Sequence, residues 1–326
     1  MMPLFKKLSL STLTLFGVFA LGALVGIFVY DLRESRCEDS YRFINPEVVC
    51  DKQPILKKIG YAATQGVLEK FIAEEKAAGR LTEAALYFRD LEDGPVFGVD
   101  ETADFAPASL LKLPLALVYL TQAERDPEIL KEQLSVAKPQ WNFSEYYPPT
   151  ETIDPAVPHT IEDLIAHMLT YSDNNSYGVL QTHLYDTRQK SVMTQTFLEL
   201  GFIDPANISD ETLSVRRYAA IFRALYNISY LNAGLSEKVL GWLAESDFAL
   251  GLRGDVPESV PIAHKFGERS IDDGVKQLHD CGIVYYPGNP YVLCVMTRGA
   301  NFDDLAAVIR RISSVVYAEV DSRRIK

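Results

Sequence analysis

The chain predicts an α+β domain of two lobes, and three observations lead there. Two strand-like runs, Ala84 to Asp90 and Pro95 to Val99, come early in the globular part. Three more, Val260 to Phe266, Gly282 to Tyr286 and Tyr291 to Met296, come late. The stretch between them, Ser109 to about Leu252, reads as almost entirely helical, with segments at Thr160 to Leu169, Tyr177 to Leu184, Val215 to Tyr226 and Leu235 to Ala244. Strands from both ends of the chain around a helical insertion imply one five-stranded antiparallel sheet, covered by the first and last helices, with an all-helical second lobe. One N-terminal transmembrane helix is expected to precede this domain.

That helix is the uncharged run Leu8 to Tyr30, which at 1.5 Å per residue spans the roughly 30 Å hydrocarbon core. Lys6 and Lys7 precede it and Asp31, Arg33 and Glu34 follow, so the positive-inside rule leaves the bulk of the chain extracytoplasmic, in the periplasm or at the cell surface. A cleaved signal peptide with Ala20 and Gly22 at the cleavage site is the competing reading, but the apolar core of such a peptide is about 7 to 15 residues. No Leu-x-x-Cys pattern closes the run, so lipid attachment is not expected. The expected organisation is therefore a membrane anchor over 1–34, with its transmembrane helix at about 8–30, a polar stalk over 35–59 and the folded domain over 60–326.

Within the domain, Ile59, Ala62, Val67, Phe71 and Ile72 recur near helical spacing in a first helix that ends at Gly79. Asp93-Gly94 is the turn signal joining the two early strands into a hairpin. After the late strands, an amphipathic pattern from Phe302 to about Val320 gives the last helix.

The formal charge of −12 without a basic face excludes nucleic acid as a partner, because phosphate binding needs concentrated Lys and Arg. Four cysteines in an exported chain permit disulfides in any of three pairings. Proximity favours Cys37 with Cys50, and Cys281 with Cys294 across the turn Pro287-Gly288-Asn289-Pro290; small buried thiols in a sheet are the alternative for the second pair. The five histidines, His159, His167, His183, His264 and His279, show no metal-ligand spacing, so neither a metal nor another cofactor is expected.

The chemistry-bearing residues start with Lys112, which lies in the most apolar helical stretch of the chain, three residues after Ser109. A buried, unpaired ammonium is costly and tends to give up its proton, and a neutral amine beside a hydroxyl is a general base. The i, i+3 spacing puts Ser109 and Lys112 on one helix face, with Ser109 at the helix start, where free N–H groups can stabilise an oxyanion. Ser-x-x-Lys alone is weak: Ser135-Val136-Ala137-Lys138 also matches, in a polar stretch that reads as a solvated helix end. The second element is Ser172-Asp173-Asn174, which alone reads as a helix cap or turn. The third is His264-Lys265-Phe266-Gly267, where a strand lysine facing a cleft would hold a carboxylate and the glycine would let substrate backbone approach.

Taken together and in order, these resemble the superfamily of class A β-lactamases and penicillin-binding proteins, whose signature is Ser-x-x-Lys, Ser-Asp-Asn and Lys-Thr-Gly. The resemblance covers about residue 60 to the C-terminus. It implies a β-lactamase/transpeptidase-like fold in which Ser109 is the nucleophile, Lys112 its base and Ser172 the proton shuttle to the leaving nitrogen. Asn174 would bind the substrate amide and Lys265, beside Gly267, the substrate carboxylate, while the N–H groups of Ser109 and Glu268 would form the oxyanion hole. The implied partner is a small-molecule β-lactam or a peptidoglycan D-alanyl peptide. Two departures stand out. Phe266 occupies the place of a threonine or serine, and the Glu-x-x-Leu-Asn pattern that activates the deacylating water is not found. The stretch Leu198 to Leu213 looks shortened, with Glu199 expected on the preceding helix and Glu211 at the loop end. The expected activity is thus a membrane-anchored serine hydrolase forming and hydrolysing an acyl-enzyme on Ser109. The alternatives are a D,D-peptidase or penicillin-binding protein with slow deacylation, and a non-catalytic β-lactam or peptidoglycan sensor.

Overall fold

The computed structural model describes residues 18–26, 41–46, 48, 61–92, 94–138, 144–187, 190–201, 212–271 and 274–323. Its core is a five-stranded antiparallel sheet of β1 (Glu83–Asp90), β2 (Val96–Val99), β5 (Ile262–Ser270), β6 (Lys276–Val284) and β7 (Tyr291–Gly299), in the order β2-β1-β7-β6-β5. Strands from both chain ends meet where β1 pairs with β7, Leu86 opposite Val295. A minor ribbon pairs β3 (Gln133–Leu134) with β4 (His159–Thr160).

Both faces of the sheet are buried, so its strands read as nearly continuous apolar runs rather than clean alternation. Alternate residues serve two separate cores. Ala85, Tyr87, Val292, Cys294 and Met296 face the helical lobe, whereas Leu86, Phe88, Tyr291, Leu293 and Val295 face the terminal helices. Those helices are α1 (Ala62–Ala77) and α8 (Phe302–Ser322). Leu305, Ile309, Ile312, Val316 and Val320 form a buried helical stripe on α8, each contributing about 1.5–3 kcal/mol of apolar transfer. Asn301 caps its start by accepting from Asp303 N.

The helical lobe comprises α2 (Lys112–Ala123), α3 (Ile161–Thr170), α4 (Asn174–Asp186), α5 (Lys190–Glu199), α6 (Val215–Tyr226) and α7 (Ala233–Ala244). The insertion is less helical than its sequence reads. Residues 132–160 carry only β3 and β4 as regular structure among the described residues, in a segment dense in proline that cannot sustain a helix. Within it Ser135 and Lys138 are exposed, on loop and not at a helix end. β6 begins at Lys276, six residues before the expected Gly282, because its first half turns polar side chains such as Gln277, His279 and Asp280 into the interior.

Cys281 and Cys294 form a disulfide between directly opposed positions of β6 and β7. The other expected bridge, Cys37 with Cys50, lies outside the described residues. Residues 18–26 are helical and exposed, and no described helix is long and apolar enough to cross a membrane. The rest of the expected span, 8–17 and 27–30, also lies outside the described residues. Residues 41–46, within the stretch expected as stalk, lie against the helical lobe: the Glu237 carboxylate accepts from the N–H groups of Arg42, Phe43 and Ile44 at 2.7, 2.8 and 3.1 Å.

Candidate active site

Ser109 lies in a 3-10 turn, Ala108–Leu111, that runs directly into α2. Pro114 falls in the first turn of α2, where its missing N–H has no intrahelical partner to lose. The turn is held from both sides. Ala106 N donates to Gln277 Oε1 at 3.0 Å, the His279 Nε2–H donates to Ala106 O at 2.9 Å, and the Tyr218 hydroxyl donates to Leu110 O at 3.0 Å. Burial pushes His279 down to about 4, which keeps the ring neutral with its proton on Nε2. Ala108 has φ +50° and Ser172 φ +56°, left-handed conformations that cost non-glycine residues about 1–3 kcal/mol each and that mark the two turns facing the cleft.

The cleft has a volume of about 510 Å³ and is lined by Ser109, Lys112, Glu145, Ser172, Asn174 and Glu268 among others. At its base the Ser172 hydroxyl lies between two buried amines, accepting from Lys112 Nζ at 3.1 Å and from Lys265 Nζ at 2.8 Å. Lys112 also donates to Ser172 O, and Lys265 to Phe266 O at 2.9 Å. Burial lowers Lys112 to about 7, against the opposing pull of the Glu145, Asp173 and Glu268 carboxylates. Burial, reinforced by the charge of Lys112, lowers Lys265 well below the ordinary lysine range. Two amines sharing one hydroxyl in a dry site cannot both hold a proton cheaply, so the pair is poised to accept protons.

Asp173 does what a helix-cap reading of its motif expects. Its carboxylate accepts from Asn175 N at 3.2 Å and Ser176 N at 2.9 Å at the start of α4, and from the Thr152 hydroxyl at 2.5 Å. That cap fixes its two neighbours, Ser172 and Asn174, in the cleft. Gly267 lets β5 approach the turn closely: a Cβ there would lie 3.0 Å from Leu110 N and 3.1 Å from Ser109 N, so a side chain would push strand and turn apart by a few tenths of an ångström. His264, buried, pairs with Asp280 at 2.8 Å beneath the strand, and Asp280 also accepts from Leu252 N at 2.8 Å. Phe266 stacks on Phe248 with centroids 4.0 Å apart, and Lys265 Nζ lies 4.5 Å from its ring centroid.

The structure thus brings Ser109, Lys112, Ser172, Asn174 and Glu268 to one cleft, with Lys265 and Gly267 immediately behind its wall. Sequence reasoning missed Glu145 and Tyr147, on the loop after residue 143. Glu145 accepts from Asn174 Nδ2, and desolvation raises its carboxyl above the ordinary value against the attraction of Lys112. Glu268 is raised too, by desolvation, although its Oε1 accepts from Tyr146 N at 2.7 Å and Tyr147 N at 3.1 Å. The available signal was Glu145-Tyr146-Tyr147-Pro148-Pro149, an aromatic, proline-bearing segment with one acid between the Ser-x-x-Lys and Ser-Asp-Asn motifs. Glu199 is exposed at the end of α5, where its carboxylate takes Gln195 Nε2 at 2.8 Å, and it does not line the cleft. Glu211 lies outside the described residues.

A two-lobed α+β domain with Ser-x-x-Lys opening a helix at the seam, Ser-Asp-Asn opposite and a lysine strand alongside is the build of an active-site serine hydrolase. The chain belongs to the beta-lactamase enzyme family, whose model matches residues 67–320. Among solved structures, a beta-lactamase from Chitinophaga pinensis is similar at 20% identity and TM-score 0.65, over 78% of this chain and 99% of that one. PBP-A is similar at 21% identity and TM-score 0.66, over 83% of this chain and all of the other, and a mutant of it is known as an acyl-enzyme with penicillin G. A class A beta-lactamase from Bacteroides cellulosilyticus aligns at 17% identity and TM-score 0.64, over 79% and 99%. At these identities the likeness shows the fold. Comparison with curated protein sequences gives no match.

Proposed function

We propose that the protein is a membrane-anchored extracytoplasmic serine hydrolase that forms an acyl-enzyme on Ser109 with a β-lactam or a related D-alanyl amide. The observation that carries this is the Ser172 hydroxyl held between two buried amines, whose hold on a proton burial weakens, in the cleft that Ser109 lines. Neutral Lys112 takes the Ser109 proton as Oγ attacks the carbonyl, and the N–H groups of Ser109 and Glu268 receive the developing oxyanion. The proton passes through Ser172 to the leaving nitrogen as the amide bond breaks. Asn174 holds the substrate amide, releasing Glu145 when it does. Lys265 meets the substrate carboxylate, whose charge raises the lysine back toward protonation. Phe266 supplies no hydroxyl to that carboxylate, which favours a substrate of different shape or weaker carboxylate recognition. The run 8–30 supplies the anchor, and β-lactams or peptidoglycan D-alanyl peptides are the partners.

Release of the acyl group needs an activated water. Glu199 does not line the cleft, and this favours a second reading, a penicillin-binding protein or sensor that keeps its adduct. Incubating the full-length chain in neutral detergent with a chromogenic β-lactam, while following product release and intact mass, separates the two. Steady release is expected for a hydrolase and a lasting adduct for the second reading. The absence of any adduct or product with both a lactam and a D-alanyl peptide refutes both.

A further inference from the structure

We propose that a second cleft, remote from the Ser109 site, binds a phosphate-class oxyanion through Arg89 and Arg223. The cleft has a volume of about 270 Å³ and lies where the end of β1, the last turns of α6 and the docked segment 41–46 meet. Arg89 comes from β1, Arg223 from α6, and Asn45 and Asn227 complete the wall. Both arginines are half-buried, and neither guanidinium makes an ion pair or a hydrogen bond with any described residue. Five other arginines are held in close ion pairs, Arg80 with Glu75, Arg216 with Glu101, Arg298 with Glu83, Arg310 with Asp255 and Arg323 with Glu319.

The charge balance of the cleft leaves room for an anion. Among the described residues its lining contains two arginines and one acidic residue, Asp90, whose Oδ1 accepts from Glu92 N at 2.9 Å. Arg89 and Asp90 are successive strand residues and so point to opposite faces, which explains why they do not pair. The C-terminal end of α6 accounts for one nearby cation through its dipole, but not for a second arginine on another element. Two arginines from separate elements lining one cleft offer planar forks of the kind that suit the tetrahedral oxygens of phosphate. Asn227 also lines the cleft; its Oδ1 accepts from Asn45 Nδ2 at 2.9 Å, and its amide nitrogen, with no partner among the described residues, is available as a donor.

The N-terminal segment builds one wall of the site. Asn45 N donates to Tyr226 O at 2.8 Å, the Tyr285 hydroxyl donates to Phe43 O at 2.8 Å, and Ile44 is buried in the main core. The site therefore lies where the chain arrives from its N-terminus. The phosphate could come from a lipid headgroup or from solution, and the proposal does not depend on the hydrolase chemistry.

The test is calorimetric titration of the full-length chain, in neutral detergent at fixed ionic strength, with inorganic phosphate and with soluble dihexanoyl phosphatidic acid. Saturable one-to-one binding of either probe is expected. Similar affinity for both, or binding of phosphate alone, supports a soluble source, and binding of the phosphatidate alone supports a headgroup. Arg89→Gln with Arg223→Gln is expected to weaken binding at least tenfold. Arg89→Lys with Arg223→Lys keeps charge and fold, and the loss of the forks is expected to weaken binding several-fold. No saturable binding to the wild type, or wild-type affinity in either double variant, overturns the proposal.

Discussion

Replacing Lys112 with alanine tests the base assignment, and the structure sets the size of the effect. Burial lowers the amine from its ordinary 10.5 to about 7, which at about 1.4 kcal/mol for each tenfold change corresponds to about 5 kcal/mol against the charged form. At pH 7 about half of the amine is then neutral, compared with roughly one part in three thousand for an ordinary lysine, a gain in available base of about a thousandfold. The acylation rate of the wild type is therefore expected to rise between pH 5.5 and 8.5 with a midpoint near 7. Lys112→Ala is expected to lose about 10²–10⁴-fold in acylation and the pH step with it. Stability follows the same proton. The folded-state value is depressed, so below about pH 7 folded and unfolded chains both carry the charge and the full cost is felt. As pH rises from about 7 toward 10.5 the unfolded chain binds more protons, and stability increases. The variant is thus expected to fold, with a thermal midpoint at neutral pH at or above that of the wild type. The assay is quenched intact-mass measurement of the penicillin adduct across this pH range, beside a thermal melt. Collapse of the variant fold, or a pH-independent acylation rate in the wild type, would refute the reasoning.

Gly267→Ala forces a Cβ to 3.0–3.1 Å from the backbone nitrogens of Leu110 and Ser109, and is expected to slow acylation sharply and to cost about 1–3 kcal/mol in a denaturant titration. Asp280→Ala strands buried His264 and Leu252 N, and is expected to lower stability by about 3–5 kcal/mol in the same titration; a change below about 1 kcal/mol would contradict the paired geometry. Phe266→Thr restores a hydroxyl beside Lys265 but removes the stacking on Phe248. It is expected to lower the KM for a carboxylate-bearing lactam while lowering the thermal midpoint, and an unchanged KM would argue that Phe266 does not face the carboxylate.

Much of this site is legible in the sequence because its chemistry is local. Ser109 and Lys112 share one helix face, and the cap formed by Asp173 places Ser172 and Asn174 on either side of it. The sheet is legible where strands are apolar, as in β1 and β7, and less so in β6, whose interior Gln277, His279 and Asp280 imitate a surface segment. Those residues are polar because they hold Ala106, His264 and Leu252, contacts 16 to 173 positions away that no local pattern records. Glu145 escaped for the same reason. It sits in a loop without periodicity, and its partner Asn174 lies 29 residues on. The strain at Ala108 and Ser172 is likewise a product of tertiary packing, since neither residue type favours positive φ.

The central claim is a covalent adduct on Ser109, and intact mass spectrometry of the full-length chain after exposure to a chromogenic β-lactam tests it most directly. A mass increase equal to the intact lactam, mapped to the peptide bearing Ser109 and absent in Ser109→Ala, is the predicted result. An unmodified wild-type protein that also releases no product, or an adduct that persists in Ser109→Ala, would contradict it.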